Sequence, residues 1–277
     1  MVIVLWCIYH LLEYMGTVVL WSWLGDIAPR DVRGKFIGVR ESWMLVARVV
    51  GMLIAGGFSW AWNSFTGPKD AWVGYAIPAC VAAAAMMAAI VPLARMPDPR
   101  EGVTKQHNMV GELFAPLSDG RFWWLLAFGC WFSMANALTQ SAQYLFPIIA
   151  LGLPLVVRNI YTSGMRLGQA SLAARIGNYA DHFGNRGVLI VAQLIVATGP
   201  LFFLLAKWAP DDSQQPAFFW PFAWWVLAGA WIAWIAYVGL NVCLAELMLK
   251  LAGSDAKASY VAWYFALTGV VYGICTV

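Results

Sequence analysis

Apolar residues in this chain gather in long unbroken runs separated by short polar stretches, without the alternation of a strand. The runs fall at about 2–24, 42–62, 71–93, 122–145, 155–176, 187–206, 218–245 and 257–277. Each approaches the ~20 residues that carry a helix across a bilayer. In lipid a segment of this kind must be helical, because only a helix or a closed barrel pairs all of its backbone N–H and C=O groups. The pattern predicts an all-α polytopic membrane protein with about eight crossings. The fifth run is the most polar, with Arg158, Arg166 and Arg175 in or beside it.

Composition agrees with the pattern. Hydrophobic residues make up 62% and charged residues 11%, against about 25% charge in a soluble chain, so too few charges exist to coat a surface facing water. The net charge of +3 is scattered, and without a dense Lys/Arg block nucleic acid is excluded as a partner. Five cysteines (Cys7, Cys80, Cys130, Cys243, Cys275) lie far apart in apolar runs. Without CxxC spacing they read as small core residues, with no disulfide framework and no metal site. Tryptophans such as Trp60, Trp72, Trp124 and Trp225 cluster near the ends of the runs, where aromatic belts form at membrane interfaces.

Lys and Arg in the connections set the orientation, since positive loops stay on the cytoplasmic side. The first, third, fifth and seventh connections hold twelve: Arg30, Arg33, Lys35, Arg40, Arg95, Arg100, Lys105, Arg121, Arg175, Arg186, Lys250 and Lys257. The others hold at most three, Lys69, Lys207 and Arg158. Both ends of the chain are therefore expected outside. Met1 opens directly into an apolar run and Val277 closes one, and the apolar start lacks the basic flank and cleavage site of a signal peptide. The chain is expected to be the middle of a longer helical protein.

Two of the inner connections carry motifs. The first runs from Gly25 to Arg40, with Asp26, Pro29, Arg33, Gly34 and Gly38. Pro29 can stop a helix, the two glycines permit close helix approach, and Arg33 and Arg40 can pair with Asp26, Asp31 or Glu41. The second runs from Gly177 to Gly187 and places Asp181 and Arg186 across a turn bearing Gly184, where carboxylate and guanidinium can meet.

These residues resemble the major facilitator superfamily of secondary transporters. Its loops between helices 2 and 3 and between helices 8 and 9 carry a pattern close to G-x-x-x-D-R-x-G-R-R. Gly177, Asp181, Gly184 and Arg186 match it, while His182 and Asn185 depart from it. The loop between helices 4 and 5 resembles D/E-x-x-P-x-x-x-R-G-x-x-x-G, matched by Asp26, Pro29, Arg33, Gly34 and Gly38. The resemblance implies that the eight runs are family helices 4 to 11. It divides the chain into a partial N-terminal bundle (1–93, family helices 4–6), a central cytoplasmic loop (94–120) and a partial C-terminal bundle (121–277, family helices 7–11). It also implies an integral membrane protein, of a bacterial inner membrane on this reading, with a small-molecule substrate, possible proton coupling and no cofactor.

Transporters of this kind bind substrate near the midplane, and ionisable residues inside a membrane mark such sites. Glu13 lies 13 residues before Asp26, about 20 Å along a helix, and Arg166 lies 15 before Asp181, about 22 Å. His10, Glu13, Tyr14 and Thr17 form one polar stripe on the first run, facing either the cavity or a neighbouring helix. Glu13 is a candidate proton or substrate group, and Arg166 a candidate fixed charge for an anion or a partner of Glu13. Asn136, Gln140 and Gln143, with Tyr144 beside them, offer amides to a polyol or amide-bearing cargo or to another helix. Trp231, Trp234, Tyr237 and Asn241 can stack on a ring or pack against lipid. Gly164 and Gly168 have the spacing of close helix packing, and Arg48 is expected to pair locally or reach the interface. The Asp181–Arg186 and Asp26–Arg33 pairs are expected to act as a conformational latch.

Two other classes compete. The sequence contains no HExxH, GxSxG or GxxxxGK[ST], and His10, His107 and His182 are not grouped with carboxylates, which disfavours an intramembrane enzyme and an ATP-driven pump. A truncated, non-transporting remnant of a carrier is the remaining alternative.

Overall fold

The computed structural model describes residues 2–29, 32–66, 71–95, 109–208, 222–252 and 257–276. Among these residues there are helices and no strand. In chain order they are α1 (Val2–Ile27), α2 (Arg33–Thr66), α3 (Ala71–Ala88), α4 (Ile90–Ala94), α5 (Met109–Ser118), α6 (Gly120–Ile149), α7 (Leu155–Phe183), α8 (Asn185–Ala197), α9 (Gly199–Lys207), α10 (Phe222–Ala233), α11 (Tyr237–Leu251) and α12 (Lys257–Thr276), with a 3-10 turn, Trp234–Ala236, joining α10 to α11.

Prolines account for two of the breaks. Pro92 and Pro200 have no N–H to return to the carbonyl four residues back, and the ladder is interrupted just before each, at Ala89 and at Thr198. The stretches Trp72–Ala94, Asn185–Lys207 and Phe222–Leu251 nevertheless run on across their breaks. With Arg33–Thr66 and Lys257–Thr276 they make five helices among the described residues that are long and apolar enough to cross a membrane. The helices α1, α6 and α7, of 26, 30 and 29 residues, occupy the other three predicted runs and exceed the ~30 Å hydrocarbon thickness at ~1.5 Å per residue. Large apolar side chains stand on the surface, Trp124 at 82% and Phe65 at 89% exposure among them, as a lipid solvent permits.

The chain divides into two compact units, residues 1–42 with 105–277, and residues 43–104. In the first unit α12 packs along α6, α1 and α5, while α11 packs on α7 and α8, and α10 on α9 and α7. Its core has two centres. One gathers Leu153, Val157, Ala206, Leu227, Ala230 and Trp231. The other gathers Phe122, Leu126, Ala252 and Tyr260, with the Tyr260 hydroxyl 3.1 Å from Asp119 Oδ2; Asp119 also caps α6 by accepting from the Arg121 N–H at 2.9 Å. In the second unit Ser59 joins α2 to α3, its hydroxyl donating to the Gly74 carbonyl at 2.7 Å. Of the stretch 94–120 expected as a connecting loop, 96–108 lie outside the described residues and 109–118 form α5. Cys80, Cys130, Cys243 and Cys275 are free thiols; the Cys7 side chain lies outside the described residues.

Candidate functional site

The site begins with a polar chain on α7. Gln169 is 1% exposed, and its Nε2 donates to the Trp234 carbonyl at 2.8 Å, in the 3-10 turn between α10 and α11. Its Oε1 accepts from Arg166 Nη1 at 3.3 Å. Arg166 and Gln169 share one face of α7 at i, i+3 spacing. A buried amide left unpaired costs about 1–3 kcal/mol, so both ends of Gln169 are committed.

Beside this chain lies a cavity of about 440 Å³. Helix α6 contributes Phe132, Asn136, Thr139, Gln143 and Tyr144 to it, and α7 contributes Arg158, Thr162, Met165, Arg166 and Gln169. Gln193 and Pro200 come from α8 and α9, and Trp231, Trp234 and Tyr237 from α10, the 3-10 turn and α11. The α6 side chains are set by local bonds: Asn136 Nδ2 donates to the Phe132 carbonyl at 2.9 Å, and Gln143 Nε2 to Thr139 Oγ1 at 3.0 Å. The Arg158 guanidinium lies 4.1 Å from the centre of the Tyr144 ring, a cation–π distance. Trp231 Nε1 donates to Thr162 Oγ1 at 3.2 Å, and Trp231 meets Trp234 edge to face at 5.6 Å. Gly199 makes room for Trp234, since a Cβ there would collide with the indole nitrogen. A second, largely apolar cavity of about 390 Å³ shares Thr139, Gln143 and Pro200 and reaches Lys207.

Of the residues singled out in the sequence, Asn136, Gln143, Arg166 and Trp234 line the cavity together with Tyr144, Trp231 and Tyr237. Asn241, one turn beyond Tyr237, is half-buried and is not in the lining. Glu13 and Tyr14 are exposed on α1 and are not in the lining, and the Thr17 hydroxyl donates to the Glu13 carbonyl of its own helix at 2.9 Å. The side chains of His10 and Gln140 lie outside the described residues. Arg158, Thr162, Gln169 and Gln193 were not singled out for this site. The α7 members share one face at helical spacing, a signal obscured by placing Arg158 in a connection.

The two motifs meet at one end of the first unit. Asp181, in the last turn of α7, accepts from the N–H groups of Gly34 at 2.9 Å and Lys35 at 2.8 Å, which are unpaired donors in the first turn of α2. Arg186 is exposed and does not pair with Asp181, which corrects the expected ion pair. Gly184, at φ 85, ends α7, and α8 begins directly at Asn185. Asn185, where the pattern usually has Arg, is buried and its Nδ2 donates to the Cys243 carbonyl at 3.3 Å.

Around the same point, buried Arg33 donates to the carbonyls of Gly25, Ala28 and Leu249 at 3.2, 3.4 and 3.3 Å, closing the C-terminal ends of α1 and α11. Asp26 pairs with Lys257 at 2.5 Å, and Lys257 also donates to the Gly25 carbonyl. Pro29 follows the end of α1, as a helix stop should. Glu246 is fully buried and pairs with Lys250. A Cβ on Gly34 would lie 2.6 Å from the Gly177 carbonyl oxygen and 2.8 Å from both Asp181 Oδ1 and Glu246 Oε2. Gly38 meets the Ala173 carbonyl in the same way, and the Ser42 hydroxyl donates to the Ala170 carbonyl at 2.7 Å. By contrast Gly164 has open space around it, and only Gly168 of that pair faces a neighbour, Ile235. The close helix contact uses Gly34 and Gly38.

No curated protein and no solved structure matches the chain. The family pattern described as Major Facilitator Superfamily does, over residues 1–275. That match covers nearly all of the chain, and members of this family carry small molecules across membranes. With its apolar helices and paired turn motifs, the chain belongs to the major facilitator superfamily of integral membrane transporters.

Proposed function

We propose that the chain carries out secondary active transport of a small solute by alternating access, with the cavity on α6, α7, α8–α9 and α10–α11 as its substrate site. The observation that carries this is a cavity of about 440 Å³ between the helices, within the usual size of small-molecule sites, lined by amides, aromatic rings and guanidiniums. On this reading residues 1–93 belong to one helical bundle, 94–120 connect it to the next, and 121–277 supply the second, in a bacterial inner membrane. The junction of Gly34, Gly38, Gly177 and Asp181, with Asp26, Arg33, Gly184 and Arg186 around it, is the inner latch. The proton path runs through Glu13 with His10 and Tyr14 on α1, while Asn136, Gln140, Gln143, Arg166, Trp234 and Asn241 serve the substrate path.

Alternating access has a direct test that needs no substrate. A single thiol introduced as Thr139→Cys, with the native cysteines replaced, is expected to react with a membrane-impermeant maleimide from each side of the bilayer in turn. Reaction from one side alone, under every condition, overturns the proposal. Full proton-dependent uptake by Glu13→Gln would remove the proton role from that residue.

A further inference from the structure

We infer that the cavity selects an organic anion: a flat, ring-bearing carboxylate with a hydroxyl donor. This rests on the cavity being the substrate site. Two guanidiniums, Arg158 and Arg166, enter the lining eight residues apart on α7, about 12 Å along its axis. The adjoining cavity adds Lys207. Among the described residues neither lining contains an Asp or a Glu. Arg166 stands well inside α7, where a cation is costly in a membrane and marks the path of a charged solute, while Arg158 and Lys207 stand in the first turn of α7 and the last turn of α9. A recess walled with apolar rings and one sign of charge concentrates ions of the opposite sign. A cation-binding or neutral-polyol site would have no use for two guanidiniums in its wall and an ammonium in the adjoining cavity.

The rest of the wall narrows the class. Phe132, Tyr144, Trp231, Trp234 and Tyr237 present aromatic surface, which suits a planar apolar body. Gln193 Oε1 is a buried acceptor with no hydrogen-bond partner among the described residues, and Gln193 belongs to the lining. A buried acceptor calls for a donor, and a carboxylate supplies none. The anion therefore carries a hydroxyl or N–H as well, and a phenol on an aromatic acid satisfies both ends. Arg166, tied to Gln169 and through it to Trp234, holds the charged end on a fixed frame. Arg158, resting on the Tyr144 ring, marks the other end.

The test is binding to the purified full chain, read by equilibrium dialysis and by ligand-induced thermal stabilisation. The probes are para-hydroxybenzoate, para-hydroxybenzamide (the same shape without the charge), benzoate (no donor) and tyramine (a cation), with the hydroxynaphthoate and hydroxynaphthamide pair for a larger ring. Each acid is expected to bind at least about tenfold more tightly than its amide, and tyramine not at all. Arg158→Gln and Arg166→Gln should each remove most of that preference, bringing the affinity for the acid down toward that for its amide, with the Lys variants intermediate. Gln193→Leu should erase the preference for para-hydroxybenzoate over benzoate. Amide or tyramine binding equal to the acid, an acid preference unmoved in both Arg variants, or no acid bound at millimolar concentration would each overturn the assignment. Acid binding without alternating thiol accessibility would leave the anion site standing and sink the transport proposal; accessibility from both sides without acid binding would do the reverse.

Discussion

Gln169 holds the carbonyl of Trp234 where α10 tightens into α11, its Nε2 at 2.8 Å from that oxygen. A 3-10 segment inside a long helix is a common hinge position, and here that segment is tied to α7 by a buried amide whose other end accepts from Arg166. Gln169→Leu removes one acceptor from Arg166 and the tie to Trp234, at a cost of about 1–3 kcal/mol. The thermal midpoint should fall by several degrees. Gln169→Glu keeps the acceptor for Arg166 but cannot donate while ionised, so it should slow transport more than it weakens substrate binding. Midpoints and rates equal to wild type in both variants would contradict the tie.

Asp181 neutralises the first turn of α2 rather than pairing with Arg186. A carboxylate at a helix N-terminus contributes about 0.3–1 kcal/mol through the dipole, and a capping side chain about as much again. Asp181→Asn should therefore shift the balance of accessible states about fivefold per kcal/mol lost, measured as the ratio of maleimide reaction rates at Thr139→Cys from the two sides. Arg186→Gln should leave that ratio unchanged. An effect of Arg186→Gln as large as that of Asp181→Asn would restore the ion-pair latch.

Glycine at 34 and 38 is a steric requirement. Gly38→Leu drives a side chain into the Ala173 backbone, and the helices must separate. Loss of the state closed at this end, or loss of folded protein, is the expected result. Gly57→Ala meets nothing within 4 Å and should be neutral or slightly stabilising, as Gly to Ala in a helix is by up to about 1 kcal/mol. Labelling from the motif end separates the outcomes, and a Gly38→Leu protein that labels like wild type contradicts the requirement.

The pair between Asp26 and Lys257 closes α1 on α12. Both side chains are largely covered, at 16% and 12% exposure, so either single neutralisation leaves a charge with poor solvation. Lys257→Gln and Asp26→Asn should each lower the thermal midpoint. The double exchange Asp26→Lys with Lys257→Asp should recover part of the loss. Additive losses in a double-mutant cycle would mean that the two groups do not interact.

The helical architecture was legible because hydrophobic length alone specifies a crossing, and the eight runs fall where helices form. The junction of the two motifs was legible as a place but not as a set of bonds. The spacing of Asp181 and Arg186 suggested a local pair, whereas the nearest unpaired donors belong to α2, about 146 residues away in sequence. The role of Lys257 was hidden for the same reason, since its partner Asp26 lies on α1, 231 residues away in sequence. In the cavity, Asn136, Gln143, Arg166 and Trp234 stood out as polar or ring-bearing positions on apolar helices. Gln193 and Gly199 did not, because an orphan acceptor and the room for an indole exist only once α8, α9 and the 3-10 turn are brought together.

The pairings of Gly34 with Gly177, Gly38 with Ala173 and Ser42 with Ala170 step in opposite directions along two antiparallel helices. Main chain rests directly on main chain there, without a cushion of rotamers to absorb a sideways slip. Such a crossing can roll about its point of closest approach but cannot slide along its length. It is a fulcrum, and a small tilt imposed at the depth of Arg166 would reach the Asp181 end as a lever's opposite swing.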